Sequence, residues 1–143
     1  MPSIHYPAKI DAGEQDRELL ILLPGISDDA TAFAENGFIE IAQATRPQLD
    51  VVAVDAHFKY YMAGTVVSRL HQDIVAPARA AGYGKIFIGG ISLGGYGALL
   101  YQRDQPGQVD RLALLAPYPG DEDYYRHLVE GGDVDPADRV DTN

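Results

Sequence analysis

The stretch GGISLGGYG, residues 89–97, follows the apolar run KIFI (85–88) and decides how the rest of the chain is read. Glycines weaken a helix or strand by roughly 0.5–1 kcal/mol each relative to alanine, so a cluster of them needs a compensating role. Three roles compete. The first is a phosphate cradle, but GxxxxGK[ST] is absent and no GxGxxG follows a strand; Gly82-Tyr83-Gly84 precedes one. A flavodoxin-like nucleotide binder would need phosphate contacts at residues 89–97. The second role is tight packing of a helix on a sheet, which suits Gly95 and Gly97 and leaves the serine unexplained. The third fits the pattern as written: Gly90-Ile91-Ser92-Leu93-Gly94 is G-x-S-x-G between a strand and a helix. In so sharp a turn the residues two before and two after the serine nearly touch, and glycines remove the clash. The strain presents Ser92 Oγ clear of the backbone. The amino end of the following helix favours negative charge developing there.

Outward from this turn, strands and helices alternate. RELLILLPG (17–25) reads as a buried strand ending in a Pro-Gly turn. SDDATAFAENGFIEIAQAT (27–45) reads as helix, with Ser27 or Asp28 as N-cap and Gly37 dividing it into two short pieces. DVVAVDA (50–56) is a second, β-branched strand. GTVVSRLHQDIVAPARAAG (64–82) has an i, i+3, i+4 apolar stripe, a stop at Gly82, and Pro77, which predicts a kink in the last turn. KIFIGGI (85–91), SLGGYGALLYQRD (92–104), DRLALLA (110–116) and DEDYYRHLVE (121–130) continue the series as strand, helix, strand, helix. Continuous apolar strands imply burial on both faces, which predicts an α/β three-layer sandwich with a mainly parallel sheet. HYPAKID (5–11) is a candidate N-terminal edge strand, with Pro7 against it.

Length and charge bound the function. The 143 residues suffice for a single domain, 1–143, with its own core. The formal net charge of −10 disfavours nucleic acid and anionic membranes as partners. Residues 121–143 hold eight acids against Arg126 and Arg139, and 131–143 reads as a loose acidic tail. No apolar run approaches the length of a membrane span, and the amino terminus lacks the order of a signal peptide, so the expectation is cytoplasmic. Without cysteine there are no disulfides or thiolate metal sites. A Ca²⁺ loop in DVDPADRVD fails because Asp138 stands where glycine is required. Neither metal nor cofactor is expected.

A serine nucleophile needs backbone donors for the oxyanion. Leu93, directly after Ser92, supplies one; LLPGISDD offers Ile26, after a Gly25 that lets the chain pass close. The alternative is that Pro24-Gly25 is only a turn before a helix. On LLPGIS, GGISLGGYGALL and LALLAPYPG, in that order after successive strands, the chain resembles the α/β-hydrolase family over nearly its whole length. The resemblance implies a carboxylesterase-like serine acyl hydrolase that forms an acyl-serine on a small ester or acyl substrate. It also implies that the 17–25 and 85–91 strands are neighbours, so that the Ile26 and Leu93 amides converge.

The family's triad runs serine, acid, histidine, and the last two follow strands that this sequence does not reach. The chain therefore resembles the family's N-terminal two thirds, lacking the C-terminal strands. Within it, His57 is the best-placed base, at the carboxyl end of a strand. Two strand positions from Ser92 is roughly 9–10 Å at about 4.8 Å per strand. The alternative is a loop histidine lining a pocket with Phe58, Tyr60 and Tyr61. Asp121 is the candidate acid, or else one of several acids opening a helix. The competing function is a catalytically incomplete hydrolase-like fragment or binding protein lacking the triad histidine. The apolar DRLALLA edge further predicts a homodimer or an aggregate unless another segment covers it.

Overall fold

The computed structural model describes residues 1–14 and 16–118. Its strands are β1 (Ser3–Tyr6), β2 (Glu18–Leu23), β3 (Leu49–Val54), β4 (Lys85–Ile91) and β5 (Arg111–Leu115). They form one sheet in the order β1-β3-β2-β4-β5. All neighbours are parallel except β1, which runs antiparallel to β3. The edge strand at the amino terminus thus exists but lies at Ser3–Tyr6 rather than 5–11. It ends where Pro7, which has no N–H to donate, interrupts the pairing.

Helices cover both faces. Residues from alternate positions of β2 and β3 explain why: Leu19, Ile21, Leu23, Val52 and Val54 enter one core, while Leu22, Val51 and Ala53 enter the other. The first core is closed by α4 (Val66–Leu70), α5 (Ala76–Ala80) and α6 (Leu93–Asp104), through Leu70, Ala78, Ala98 and Tyr101. The second is closed by α1 (Ala32–Glu35) and α2 (Phe38–Thr45), through Phe33 and Ile39. The three-layer α/β sandwich is therefore as the sequence predicts. Gly37, at φ 78°, does divide the first helical stretch. The N-cap differs from expectation: Thr31 occupies it, not Ser27 or Asp28.

Between α4 and α5 the helix widens into a π turn, His71–Val75. Pro77 cannot give the Asp73 carbonyl its usual helical N–H, and its ring crowds that oxygen. The expected kink in the last turn takes the form of this wider turn just upstream. At the helix end Gly82 (φ 91°) makes the stop: its N–H reaches the Arg79 carbonyl at 3.1 Å and Tyr83 N–H reaches Ala78 at 3.2 Å, a Schellman pair.

The amino ends of the parallel strands gather paired charges. Arg46 and Lys85 lie 2.6 and 3.9 Å from buried Glu18, Arg17 lies 3.8 Å from Asp50, and Arg79 lies 3.0 Å from Asp110. The carboxyl ends hold the serine turn. At β5, the last strand among the described residues, Leu114 and Leu115 are exposed. No helix among the described residues is long and apolar enough to cross a membrane.

Candidate active site

Ser92 sits between β4 and α6 with φ 51° and ψ −115°, a backbone conformation that residues with a side chain rarely adopt. The glycines around it are there for space. A Cβ on Gly90 would lie 2.6 Å from Gly95 N and closer to the Gly94 carbonyl. One on Gly94 would lie 2.8 Å from the Pro24 oxygen and 2.5 Å from the Leu23 carbonyl carbon. The turn therefore closes on itself and α6 docks directly onto the end of β2.

The segment leaving β5 clasps the turn. Ser92 N–H donates to the Leu115 carbonyl at 3.0 Å, and Tyr118 N–H donates to the Ser92 carbonyl at 2.8 Å. Between them Ala116 takes a positive φ of 44°, and Pro117 presses on Gly95, where an added Cβ would meet the proline Cβ at 2.8 Å. Tyr96 N–H, one helical turn on, also donates to the Ser92 carbonyl at 3.2 Å. LALLAPYPG carries part of the sequence resemblance, but nothing in that string announces a clasp. It exists only because β5 lies beside β4, in parallel register with Ile91 opposite Leu115.

β2 and β4 are neighbours, with Leu23 opposite Gly90. The Pro24-Gly25 turn that follows β2 reaches the serine: a Cβ on Gly25 would lie 3.9 Å from Ser92 Cβ. Ile26 comes next and is 55% exposed. Leu93 N–H lies in the first turn of α6, where backbone donors have no intrahelical partner. Among the described residues neither Leu93 nor Ile26 gives its N–H to a backbone carbonyl.

His57, after β3, precedes α3 (Phe58–Met62), and its ring lies 4.6 Å from that of Tyr60. β3 and β4 are separated by β2, as the resemblance implies. The His57 ring makes no hydrogen bond among the described residues. Asp121 and His127 lie outside the described residues, as does the acidic stretch around them. His71 Nδ1 is 2.9 Å from the hydroxyl of Tyr101, which is fully buried in α6. Desolvation pushes the Tyr101 phenol up to about 12. His5 lies 3.9 Å from Asp50, at the opposite end of the sheet.

An aromatic group flanks the serine. Tyr61 stacks on Tyr96 at 6.4 Å, and Tyr96 meets Tyr118 edge-on at 5.7 Å. The Tyr61 hydroxyl is buried against Gly97, has no hydrogen-bond partner among the described residues, and is made harder to ionise chiefly by burial. Among the described residues no group of three His, Asp or Glu is placed to hold a metal ion.

No family model matches the sequence, and no curated protein matches it. Solved structures do. The chain is similar to a monoacylglycerol lipase from Paleococcus ferrophilus, with 15% identity and a TM-score of 0.62 over 84% of this chain and 44% of that one. It is also similar to S-formylglutathione hydrolase from Staphylococcus aureus, with 20% identity and a TM-score of 0.59 over 94% of this chain and 55% of that one. An α/β hydrolase from Sphaerobacter thermophilus matches with 19% identity and a TM-score of 0.52, over 95% of this chain and 59% of that one. The chain thus spans about half the length of the solved proteins it matches. With its strand order, its covered sheet and its serine turn between β4 and α6, it has the α/β-hydrolase fold.

Proposed function

We propose that the chain carries the nucleophile of a serine acyl hydrolase, of carboxylesterase type, acting on a small ester or related acyl compound. The observation that supports this is the backbone of Ser92, φ 51° and ψ −115°, held in place by the clasp from β5. Such a conformation costs of order 1–3 kcal/mol, and strain of that kind gathers at functional sites. In this reading Ser92 Oγ attacks the acyl carbon as its proton leaves to a base. The oxyanion lies between the Ile26 and Leu93 N–H groups, the bond to the leaving alcohol breaks, and the alcohol takes the proton. Water then cleaves the acyl-serine by the same route. Its fold-level neighbours include proteins named as a lipase and as hydrolases, which agrees with this class of chemistry.

A second reading rests on His57. Its ring packs on Tyr60 rather than in a hydrogen bond, which favours a hydrolase-like protein whose serine lacks a base within these residues. Turnover of p-nitrophenyl acetate by the chain, Ser92→Ala and His57→Ala separates the two. Serine catalysis with His57 as base predicts turnover abolished in the first variant and reduced about 10²-fold or more in the second. Turnover lost with Ser92 but untouched by His57→Ala assigns the base elsewhere. A background rate identical in all three proteins refutes serine catalysis by this chain.

A further inference from the structure

Two aspartates leave β2 side by side, and the fold uses them differently. The Asp29 carboxylate accepts from Thr31 N–H at 2.8 Å and from the Thr31 hydroxyl at 2.6 Å. Those bonds, the hydroxyl's first, hold it below the usual carboxylate range. Asp28 gives its backbone N–H to the Gly25 carbonyl at 3.2 Å, which folds the turn back on itself. Its carboxylate makes neither a hydrogen bond nor an ion pair among the described residues. It is exposed, and its Oδ2 lies on the Gly25 side of the turn. The place a Cβ would occupy on Gly25 is 3.5 Å from Asp28 Oδ2 and 3.9 Å from Ser92 Cβ. Because residue 25 has no side chain, nothing of it stands between the carboxylate and the serine.

The wider distribution of charge points the same way. Arg17, Arg46, Arg79 and Lys85 are held by acids at the amino ends of the strands. The described segments at the carboxyl ends, 24–31, 55–65, 92–97 and 116–118, contain Asp28, Asp29 and Asp55 against Lys59, and the Met1 ammonium, brought to that end by the bond of Asp55 N–H to the Pro2 carbonyl, is held by Asp73. Among the described residues, a small molecule reaching Ser92 therefore meets net negative charge, with the Asp28 carboxylate, unpaired among them, across Gly25 from the serine. Tyr118, 47% exposed and bonded to the Ser92 carbonyl, adds an aromatic surface of the kind ammonium groups favour.

We propose that Asp28 makes the site beside Ser92 selective for acyl substrates bearing a positive charge, an ammonium group in either the acyl or the leaving part. This rests on the reading of Ser92 as the acyl-transfer nucleophile. Asp28 is a specificity determinant in it and takes no part in bond making. An anionic acyl compound is disfavoured by the same field.

The test is equilibrium binding to the full chain carrying Ser92→Ala, in which turnover cannot intervene. Acetylcholine and 3,3-dimethylbutyl acetate, its uncharged carbon isostere, are titrated while the Ile26 and Leu93 amide resonances are followed. Asp28→Asn keeps the shape of the side chain and removes its charge. The ratio of the two affinities is expected to fall about five-fold in the double variant at low salt, the effect of one exposed ion pair of about 1 kcal/mol. Raising the salt should shrink the parent's preference as well. A ratio unchanged by Asp28→Asn overturns the proposal, and so does the absence of binding by either ester. Neither result bears on nucleophilicity, which the turnover measurements with unaltered Ser92 address separately.

Discussion

Gly94→Ala is the sharpest perturbation of the serine turn that leaves the serine in place. On an ordinary helix the change would stabilise by roughly 0.5–1 kcal/mol, because alanine loses less backbone freedom on folding. Here the new methyl would sit 2.5 Å from the Leu23 carbonyl carbon and 2.8 Å from the Pro24 oxygen. Both are backbone atoms at the end of the central strand, so no rotamer change relieves the contact. The amino end of α6 must lift from β2, and with it the Leu93 N–H. Overpacking typically costs 1–3 kcal/mol, and a rigid backbone neighbour puts this case at or above the upper end, about 3 kcal/mol. Less the helix gain, the net loss is about 2–3 kcal/mol. With a urea m-value near 1.5 kcal/mol/M, the unfolding midpoint should fall by about 1–2 M. Gly97→Ala is the comparison: there the methyl meets the Tyr61 side chain, hydroxyl first and Cζ at 3.1 Å, and a side chain can swing about χ1 where backbone cannot. It should cost less than Gly94→Ala, about 1 kcal/mol, the low end for overpacking. A Gly94→Ala protein with the parent's midpoint and m-value would refute the close docking of α6 on β2.

Two tyrosines should respond in opposite senses to the same deletion. Tyr101→Phe removes a hydroxyl that meets His71 Nδ1 at 2.9 Å and should destabilise by about 1 kcal/mol in urea unfolding. Tyr61→Phe removes a buried hydroxyl without a partner among the described residues and should be neutral or stabilising by up to about 1 kcal/mol. The order reversed would contradict both environments. Asp110 gives a pH test. Its carboxylate accepts from Ile86 N–H at 2.8 Å and from Arg79 at 3.0 Å, and these bonds, the Ile86 one first, lower its folded-state value. A lowered folded value means the stabilisation is complete above the unfolded value, about pH 4, and is lost as pH falls through the folded one. Asp110→Asn should therefore weaken the protein at pH 7 and flatten its stability profile below pH 4. An unchanged acid limb would refute it.

What could be read in the sequence follows from how local the physics is. The Ser92 turn was legible because a strand, a nucleophile-sized gap and a helix appear in one run, and G-x-S-x-G states the steric need at 90 and 94. Gly37 and Gly82 were legible for the same reason, since positive φ at a helix boundary selects glycine. The amino-terminal strand was shifted because its pairing depends on β3, some 50 residues away, while Pro7 marks only where it must stop. The clasp by Leu115–Tyr118 and the bond between His71 and Tyr101 were illegible, because both are made across elements whose register no local pattern fixes. Asp28 differs for a subtler reason. Near a helix start an aspartate reads as a cap, but Thr31 takes that place, and the turn through Gly25 leaves Asp28 Oδ2 3.5 Å from where a Gly25 Cβ would be.

The central claim is that the strain at Ser92 presents a working nucleophile, and intact-mass analysis after exposure to a fluorophosphonate tests it most directly. An activated Ser92 predicts one covalent adduct per chain, absent in Ser92→Ala and suppressed by prior unfolding. A folded chain that takes up no adduct, or one that is labelled equally well without Ser92, would contradict it.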